Sequence, residues 1–225
     1  MMATVKFEPL GDGIEICVSK EHTFGTDAFL LADFAAPKSR DKICDLGTGC
    51  GIIPVLLKMK HNPALIVGVD IQEQAIEQFK ATVERNHFEG VIPITADIKS
   101  LWEGYPRGLD LVTCNPPYKA AGAGLESVSE AQKIARHELL CNLNDVCAAA
   151  VRLLRFGGRL CLCNRPERLA DVITAMKNNN IEPKLLRFVS KTPAASPWLF
   201  LIEGRLGSKP FMRVLPNIFL NSINY

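Results

Sequence analysis

Residues 42–51 read KICDLGTGCG, a short apolar run that leads into a turn containing three glycines. The run predicts a buried strand, and residues 52–59 behind the turn predict a helix, with Pro54 acceptable in its first turn. Glycines in such a turn let the backbone approach a ligand closely, because no Cβ intervenes. This order of elements indicates an open α/β sheet, whose ligands bind at the carboxyl ends of the strands.

Outward from this turn, short apolar runs alternate with amphipathic stretches. Alternation of this kind predicts parallel strands with helices on both faces of the sheet. No helix separates the last two strands, and parallel neighbours need a long crossover, so the final strand must run antiparallel. The predicted fold class is α/β: a doubly wound, mostly parallel seven-stranded sheet with an antiparallel last strand, preceded by a hairpin that turns at residues 11–13. A sheet of this kind resembles the Rossmann-like fold of class I methyltransferases. The predicted strands cover residues 42–46, 65–69, 91–94, 109–114, 159–163, 185–190 and 198–203, and the later helices cover residues 72–86, 143–154 and 168–178. We expect Gly157 and Gly158 to close the helix at residues 143–154.

Length and composition predict one domain. The 225 residues divide into an N-terminal hairpin and helix (1–40), a catalytic core (41–204) and a C-terminal tail (205–225). The 48% hydrophobic and 22% charged residues favour a large core over disorder, and a formal net charge of +2 permits a nucleic acid as partner without requiring one. We expect no membrane segment, no leader and a cytoplasmic protein. The 8 cysteines form no C-x-x-C pair, so we expect reduced core residues and no metal site.

Three acids, each following its own strand, indicate the ligand of the glycine turn. Asp45 precedes the first glycine by two, and an acid inside this turn repels a pyrophosphate but suits a ligand with an ammonium group. Asp70 ends the second strand, where a carboxylate can take both ribose hydroxyls. Asp97 follows the third strand and can meet an adenine amino group. Together they predict S-adenosylmethionine as cofactor, bound by Asp45, Gly47, Gly49, Gly51, Asp70, Ile71, Asp97, Ile98 and Asn115.

Asn115, Pro116, Pro117 and Tyr118 follow the fourth strand and form the predicted catalytic motif. A planar amino group is a poor nucleophile, because its lone pair is delocalised. The Asn115 side-chain oxygen and the Pro116 carbonyl can accept its two hydrogens and favour a pyramidal nitrogen, while Tyr118 offers a face on which a flipped base can stack. The motif therefore predicts methyl transfer to a planar amino group, through alignment and electrostatics rather than a strong base.

These residues resemble class I amino-methyltransferases with an Asn/Asp-Pro-Pro-Tyr/Phe motif. Residues 24–34 (FGTDAFLLADF), 135–138 (ARHE) and 164–169 (NRPERL) are similar to the bacterial tRNA(Val) adenine-N6 methyltransferases, and this resemblance spans residues 24–204. It implies an RNA substrate, tRNA, methylated at the adenosine 3′ to the anticodon. It also implies that Gly25, Thr26 and Asp27 lie near the methionine end of the cofactor.

Two other readings stay open on the sequence. Protein glutamine methyltransferases share the motif, but they carry a helical substrate domain where only about 40 residues precede Asp45 here. A non-catalytic cofactor-binding or nucleic-acid-binding subunit has no need of an intact motif. On the substrate side we expect a loop at residues 119–130, a positional role for His137, a basic rim for phosphates and no obligatory protein partner. That rim consists of Arg165, Arg168, Lys184, Arg187 and Lys191.

Overall fold

The computed structural model describes residues 5–20, 22–100, 104–116 and 142–222. Pro117, Tyr118, the loop at residues 119–130 and His137 therefore lie outside the described residues. The strands are β1 (Lys6–Gly11), β2 (Ile14–Val18), β3 (Lys42–Leu46), β4 (Leu65–Asp70), β5 (Val91–Thr95), β6 (Leu109–Cys114), β7 (Leu154–Asn164), β8 (Ile181–Ser190), β9 (Leu199–Leu206), β10 (Arg213–Val214) and β11 (Ile218–Phe219). The α-helices are α1 (Thr26–Ala35), α2 (Ile52–His61), α3 (Glu73–Arg85), α4 (Leu143–Leu153) and α5 (Leu169–Asn178).

The central sheet confirms the predicted fold class. Its strand order is β10-β8-β9-β7-β6-β3-β4-β5, with β11 also paired to β8. The seven predicted strands are β3 to β9, and β9 runs antiparallel between β7 and β8. The remaining pairings in this sheet are parallel, so the carboxyl ends of β3 to β8 meet at one edge. We call it the carboxyl edge.

Helices cover both faces of the sheet, as apolar runs without alternation require. Buried residues of α1, α2 and α3 form one core cluster against the sheet, and those of α4 and α5 form a second cluster on the other face. Helix α4 begins with a capping box, in which Asn142 Oδ1 accepts from the Asp145 N–H at 3.0 Å and Asp145 Oδ2 accepts from the Asn142 N–H at 3.1 Å.

The N-terminal hairpin forms as predicted and is anchored on α3. Asp12 and Gly13 turn it with positive φ angles of 50° and 76°. The Cys17 N–H donates to Thr82 Oγ1 at 2.9 Å, and the Glu15 N–H donates to Asn86 Oδ1 at 3.0 Å. The hairpin thus packs on the helix that follows Asp70.

Two expectations need correction or extension. Gly157 and Gly158 do not close a helix: the chain passes from α4 directly into β7 at Leu154, and both glycines lie within that strand. A Cβ at Gly158 would lie 3.0 Å from the Leu109 carbonyl oxygen, so a glycine is needed where β6 and β7 approach closely. The tail adds β10 and β11 in parallel to β8, which the sequence pattern did not predict.

The seven described cysteines are buried, and no disulfide joins any two of them. Within the described ranges, no helix is both long and apolar enough to cross a membrane, and no group of three or more His, Cys, Asp or Glu side chains is placed to hold a metal ion.

Candidate active site

A cavity of about 300 Å³ opens at the carboxyl edge, between the ends of β3, β4, β5 and β6. Parallel pairing explains this convergence, because each of these strands ends at the same level of the sheet. Eight of the sequence-predicted residues line the cavity: Gly47, Gly49, Asp70, Ile71, Asp97, Ile98, Asn115 and Pro116. Gln72, Ala96 and Val146 also line it and were not predicted, since nothing in their residue types marks them.

The glycine turn has two different reasons for its glycines. Gly47 and Gly49 have φ angles of +68° and +56°, and a Cβ added to either would meet no atom within 4 Å. Because both residues line the cavity, their missing side chains leave that space to a ligand. Gly51, at φ +85°, does not line it: a Cβ there would lie 2.1 Å from the Phe79 ring. The third glycine therefore serves packing between α2 and α3.

Asp70 joins the glycine turn to the start of α3. Its side chain accepts from two backbone N–H groups, Gly49 at 2.9 Å on Oδ2 and Gln72 at 2.9 Å on Oδ1. The residue is only 6% exposed, yet it forms part of the cavity wall. Since an ionised carboxylate has about four lone-pair sites, each oxygen retains capacity for a hydroxyl donor in the cavity.

Asp97 lies on the cavity wall and caps the 3₁₀ helix Ile98–Ser100. Its Oδ1 accepts from the Lys99 N–H at 2.9 Å, and its carbonyl accepts from the Ser100 N–H at 2.9 Å. The other carboxylate oxygen lies 3.8 Å from Lys99 Nζ. Asp97 therefore caps this short helix while its side chain remains beside the cavity.

Asp45 lies behind the glycine turn and is 1% exposed, so it does not reach the cavity surface. Thr113 Oγ1 on β6 donates to its Oδ1 at 2.6 Å, whereas its buried Oδ2 has no hydrogen-bond partner. Burial raises the pKa of this carboxyl to about 7, against the lowering effects of the Thr113 hydroxyl and the nearby Thr48 hydroxyl. An orphaned buried acceptor is rare in proteins and marks a place where a donor is expected.

Asn115 directly follows β6 and is held by side chains from two other elements. Its Nδ2 donates to Asp27 Oδ2 at 3.1 Å, and the Cys163 thiol on β7 donates to its Oδ1 at 3.2 Å. Asp27 belongs to the first turn of α1, so the structure brings the upstream Gly25-Thr26-Asp27 segment to the catalytic motif. Thr26 begins the helix and Gly25 precedes it, and neither lines the cavity.

The residues of the predicted basic rim have different partners in the structure. Arg165 follows β7 at the carboxyl edge, where its guanidinium lies 5.4 Å from the Trp198 ring centre and donates to the Trp198 carbonyl at 3.0 Å. Arg168 pairs with Asp171, and Lys184 binds the carbonyls of residues 209 and 210. Lys191 directly follows β8, so it lies at the same edge as Arg165, and a common phosphate surface stays a prediction. Trp198, an aromatic residue at this edge, was not anticipated.

Comparison with known proteins gives close sequence relatives. The chain is 29% identical over 182 residues to the tRNA1(Val) (adenine(37)-N6)-methyltransferase of Parabacteroides distasonis, covering 80% of this chain and 75% of the relative. It is 31% identical over 150 residues to the enzyme of the same name from Aeromonas salmonicida, covering 66% of this chain and 61% of the relative.

Solved structures share the fold. A predicted O-methyltransferase from Agrobacterium tumefaciens has a TM-score of 0.70 at 20% identity, with 86% of this chain and 87% of that chain covered. A geranyl diphosphate C-methyltransferase from Streptomyces coelicolor, solved with S-adenosyl-L-homocysteine, has a TM-score of 0.58 at 13% identity, with 80% and 78% covered. The family model described as the methyltransferase small domain matches residues 19–175, and the chain therefore belongs to the methyltransferase small domain family.

Proposed function

We propose that this chain transfers a methyl group from S-adenosylmethionine to N6 of an adenine in tRNA, next to the anticodon. One observation carries this proposal. Asn115 and Pro116, the acceptors suited to an amino group, line the same cavity as Asp70 and Asp97, the acids suited to a nucleoside. Cofactor binding and amino-group recognition thus share one space at the carboxyl edge.

The cavity residues fit the cofactor. The cavity volume of about 300 Å³ falls at the lower end of the range for small-molecule sites. Gly47 and Gly49 leave room for a ligand against the backbone, Asp70 has spare acceptor capacity for ribose hydroxyls, and Ile71 offers an apolar surface to the adenine ring. Ile98 extends that surface beside Asp97. When bound, S-adenosylmethionine supplies an electrophilic methyl group on a sulfonium.

Asp45 adds a charge argument to this fit. Its orphaned Oδ2 is a buried acceptor, and a ligand ammonium group is the donor that an ionised carboxylate takes best. Such a donor reaches Asp45 only through the glycine turn that covers it. The contribution of Gly25, Thr26 and Asp27 to the methionine end stays a prediction.

The motif residues bind and orient the target nitrogen. Asn115 Oδ1 and the Pro116 carbonyl accept the two hydrogens of the amino group and hold its nitrogen lone pair toward the methyl group. The proton that the methylated nitrogen releases is acidic and passes to solvent, so no strong base is needed. Pro117 and Tyr118 complete the motif outside the described residues.

Three observations support tRNA as the substrate. The relatives carry this activity in their names, and their similarity covers up to 80% of the chain. A base in an anticodon loop is already unstacked, so flipping it costs less than flipping one from a duplex. Arg165 lies at the carboxyl edge, where a cation can meet a phosphate. A tRNA substrate places the enzyme in the cytoplasm, and the reaction requires no partner protein.

Methyl transfer by the purified chain tests this function. Cofactor with a labelled methyl group is incubated with tRNA, duplex DNA or release-factor protein, and the products are digested and identified by mass spectrometry. We expect N6-methyladenosine in tRNA alone. Label in glutamine, cytosine or guanine would refute the assignment, and the first of these would restore the protein-glutamine alternative.

Asn115→Ala separates binding from chemistry in the same assay. The rate should fall about 100-fold or more, as when a transition-state partner is removed, while the affinity for S-adenosylhomocysteine in calorimetry should change by only about threefold or less. Asn144→Ala, at an exposed position on α4, is the matched control and should keep the full rate. Full turnover by Asn115→Ala would contradict the amino-group mechanism.

A further inference from the structure

Both polar atoms of the Asn115 side-chain amide are hydrogen-bonded. Asp27 Oδ2 accepts from its Nδ2 at 3.1 Å, and Cys163 donates a thiol hydrogen to its Oδ1 at 3.2 Å. The first partner is 88 residues away in sequence and the second 48 residues away. Two other elements, α1 and β7, therefore hold this one amide group.

These two hydrogen bonds decide which way the amide points. The oxygen and nitrogen of an asparagine amide have nearly the same size, so the shape of a site does not choose between them, but hydrogen bonds do. A carboxylate only accepts, and Asp27 therefore draws the NH₂ group and turns Oδ1 of Asn115 away from α1. A thiol is a weak donor, so the hydrogen bond from Cys163 competes only weakly with a stronger donor to that oxygen.

Gly25 keeps the carboxylate of Asp27 in place. A Cβ at Gly25 would lie 2.8 Å from Asp27 Oδ1, closer than a side chain tolerates. Gly25 has φ −119° and ψ 176°, a backbone conformation open to any residue, so nothing in the local backbone asks for glycine. The Ala28 N–H also holds Oδ1, at 3.0 Å. The missing side chain at position 25 thus makes room for the carboxylate that orients Asn115.

We propose that Asp27 is a positioning residue: it fixes the amide of Asn115 so that Oδ1, and not the NH₂ group, faces the amino group of the substrate, and Gly25 gives it the space to do so. This inference rests on the proposed function. It differs from a direct contact between Asp27 and the methionine part of the cofactor, because it places the effect of Asp27 on turnover rather than on cofactor affinity.

Asp27→Asn tests the role with almost no change in shape. An asparagine at position 27 can present either its oxygen or its NH₂ group to Asn115, so it no longer dictates the orientation of the amide. We expect kcat to fall about 10- to 100-fold, as when a residue that orients a reacting group is changed, with KM for tRNA and the affinity for S-adenosylhomocysteine within about twofold. Asp33→Asn removes a carboxylate from an exposed position on the same helix and should leave all three values unchanged.

Gly25→Ala gives an independent test through a double-mutant cycle. Alone, the added Cβ displaces the carboxylate and should lower kcat about as much as Asp27→Ala does. In the Asp27→Ala background nothing remains to be displaced, so Gly25→Ala should have no further effect. If the fold-reductions in kcat from the two substitutions instead multiply in the double variant, the proposal is overturned.

A nitrogen-labelled NMR spectrum reports the contact without any turnover. The side-chain NH₂ resonances of Asn115, identified by their loss in Asn115→Ala, should shift in Asp27→Asn and stay in place in Asp33→Asn. Unchanged resonances in Asp27→Asn would overturn the inference, as would weaker S-adenosylhomocysteine binding at unchanged kcat. Failure of the wild-type chain to methylate tRNA refutes the proposed function instead, and the NMR result still decides the contact.

Discussion

Replacing Asp45 by asparagine should stabilise the cofactor-free protein and weaken its cofactor binding. The carboxyl is 1% exposed, and burial raises its pKa from 3.8 to about 7. The folded state therefore holds a proton that the unfolded state releases between these two values. By linkage, stability falls as the pH rises from about 4 to about 7 and then levels off. Asparagine keeps an oxygen for the Thr113 hydroxyl and carries no charge at any of these pH values.

The size of the effect follows from the two pKa values. At 1.36 kcal/mol for each pKa unit, the raised pKa of Asp45 lowers the unfolding free energy by about 4 kcal/mol at pH 8 and by about 2 kcal/mol at pH 5. The gain in unfolding free energy of Asp45→Asn over the wild type should therefore be about 2–3 kcal/mol larger at pH 8 than at pH 5. Urea unfolding at the two pH values measures this difference directly, and other titrating groups cancel because both proteins share them.

The same substitution should lower the affinity for S-adenosylhomocysteine about 10- to 100-fold at pH 8, because a hydrogen bond from an ammonium group to a carboxylate is lost. Wild-type affinity should also decline as the pH falls below about 7, where Asp45 takes up its proton. A pH-independent stability difference between the two proteins would refute the burial argument. Equal cofactor affinities would refute the assignment of Oδ2 to the ammonium group.

Three further outcomes test the cavity and its surroundings. Asp70→Ala should cost about 1–3 kcal/mol of S-adenosylhomocysteine binding in calorimetry, since it removes the acceptor for ribose and releases the N–H of the glycine turn; unchanged affinity would contradict this. Gly51→Ala should lower the unfolding free energy by about 1–3 kcal/mol more than Gly104→Ala does. Both glycines have φ near +85°, but only a Cβ at Gly51 meets the Phe79 ring. Equal losses of unfolding free energy would show that backbone conformation alone matters. Raising salt from about 50 to 200 mM should slow methylation at low tRNA concentration about tenfold or more while cofactor affinity changes little, and a salt-independent rate would exclude phosphate contacts as a main source of tRNA affinity.

The sequence predicted those strands whose bounds depend on short-range patterns, such as an apolar run followed by a turn. The strand at Lys42–Leu46 and the strand at Leu109–Cys114 have the predicted bounds, because both are apolar runs closed by a turn or a motif. The acids at strand ends reached the cavity region because parallel strands end together. Strands of two residues, such as Arg213–Val214, carry no periodicity and depend on β8 as a template.

Contacts at the site between residues far apart in the sequence could not be predicted from the sequence. The hydroxyl of Thr113 faces Asp45 because of the register of β3 against β6, and no spacing in the chain encodes that register. The resemblance placed Asp27 near the cofactor, whereas its contact with Asn115 depends on how α1 crosses the end of β6. The Gly157-Gly158 pair was misjudged because a helix end and a close strand approach both require glycine.

The pairing of the tail with β8 has a consequence for colloidal behaviour. An uncovered edge strand offers free N–H and C=O groups to the edge of another molecule and invites growth of the sheet from chain to chain. At one end of this sheet β10 and β11 occupy that template, while at the other end Pro93 in β5 lacks the N–H that a new strand would need. Removing residues 209–222 would expose β8, and with it a ten-residue apolar-rich edge able to recruit further copies.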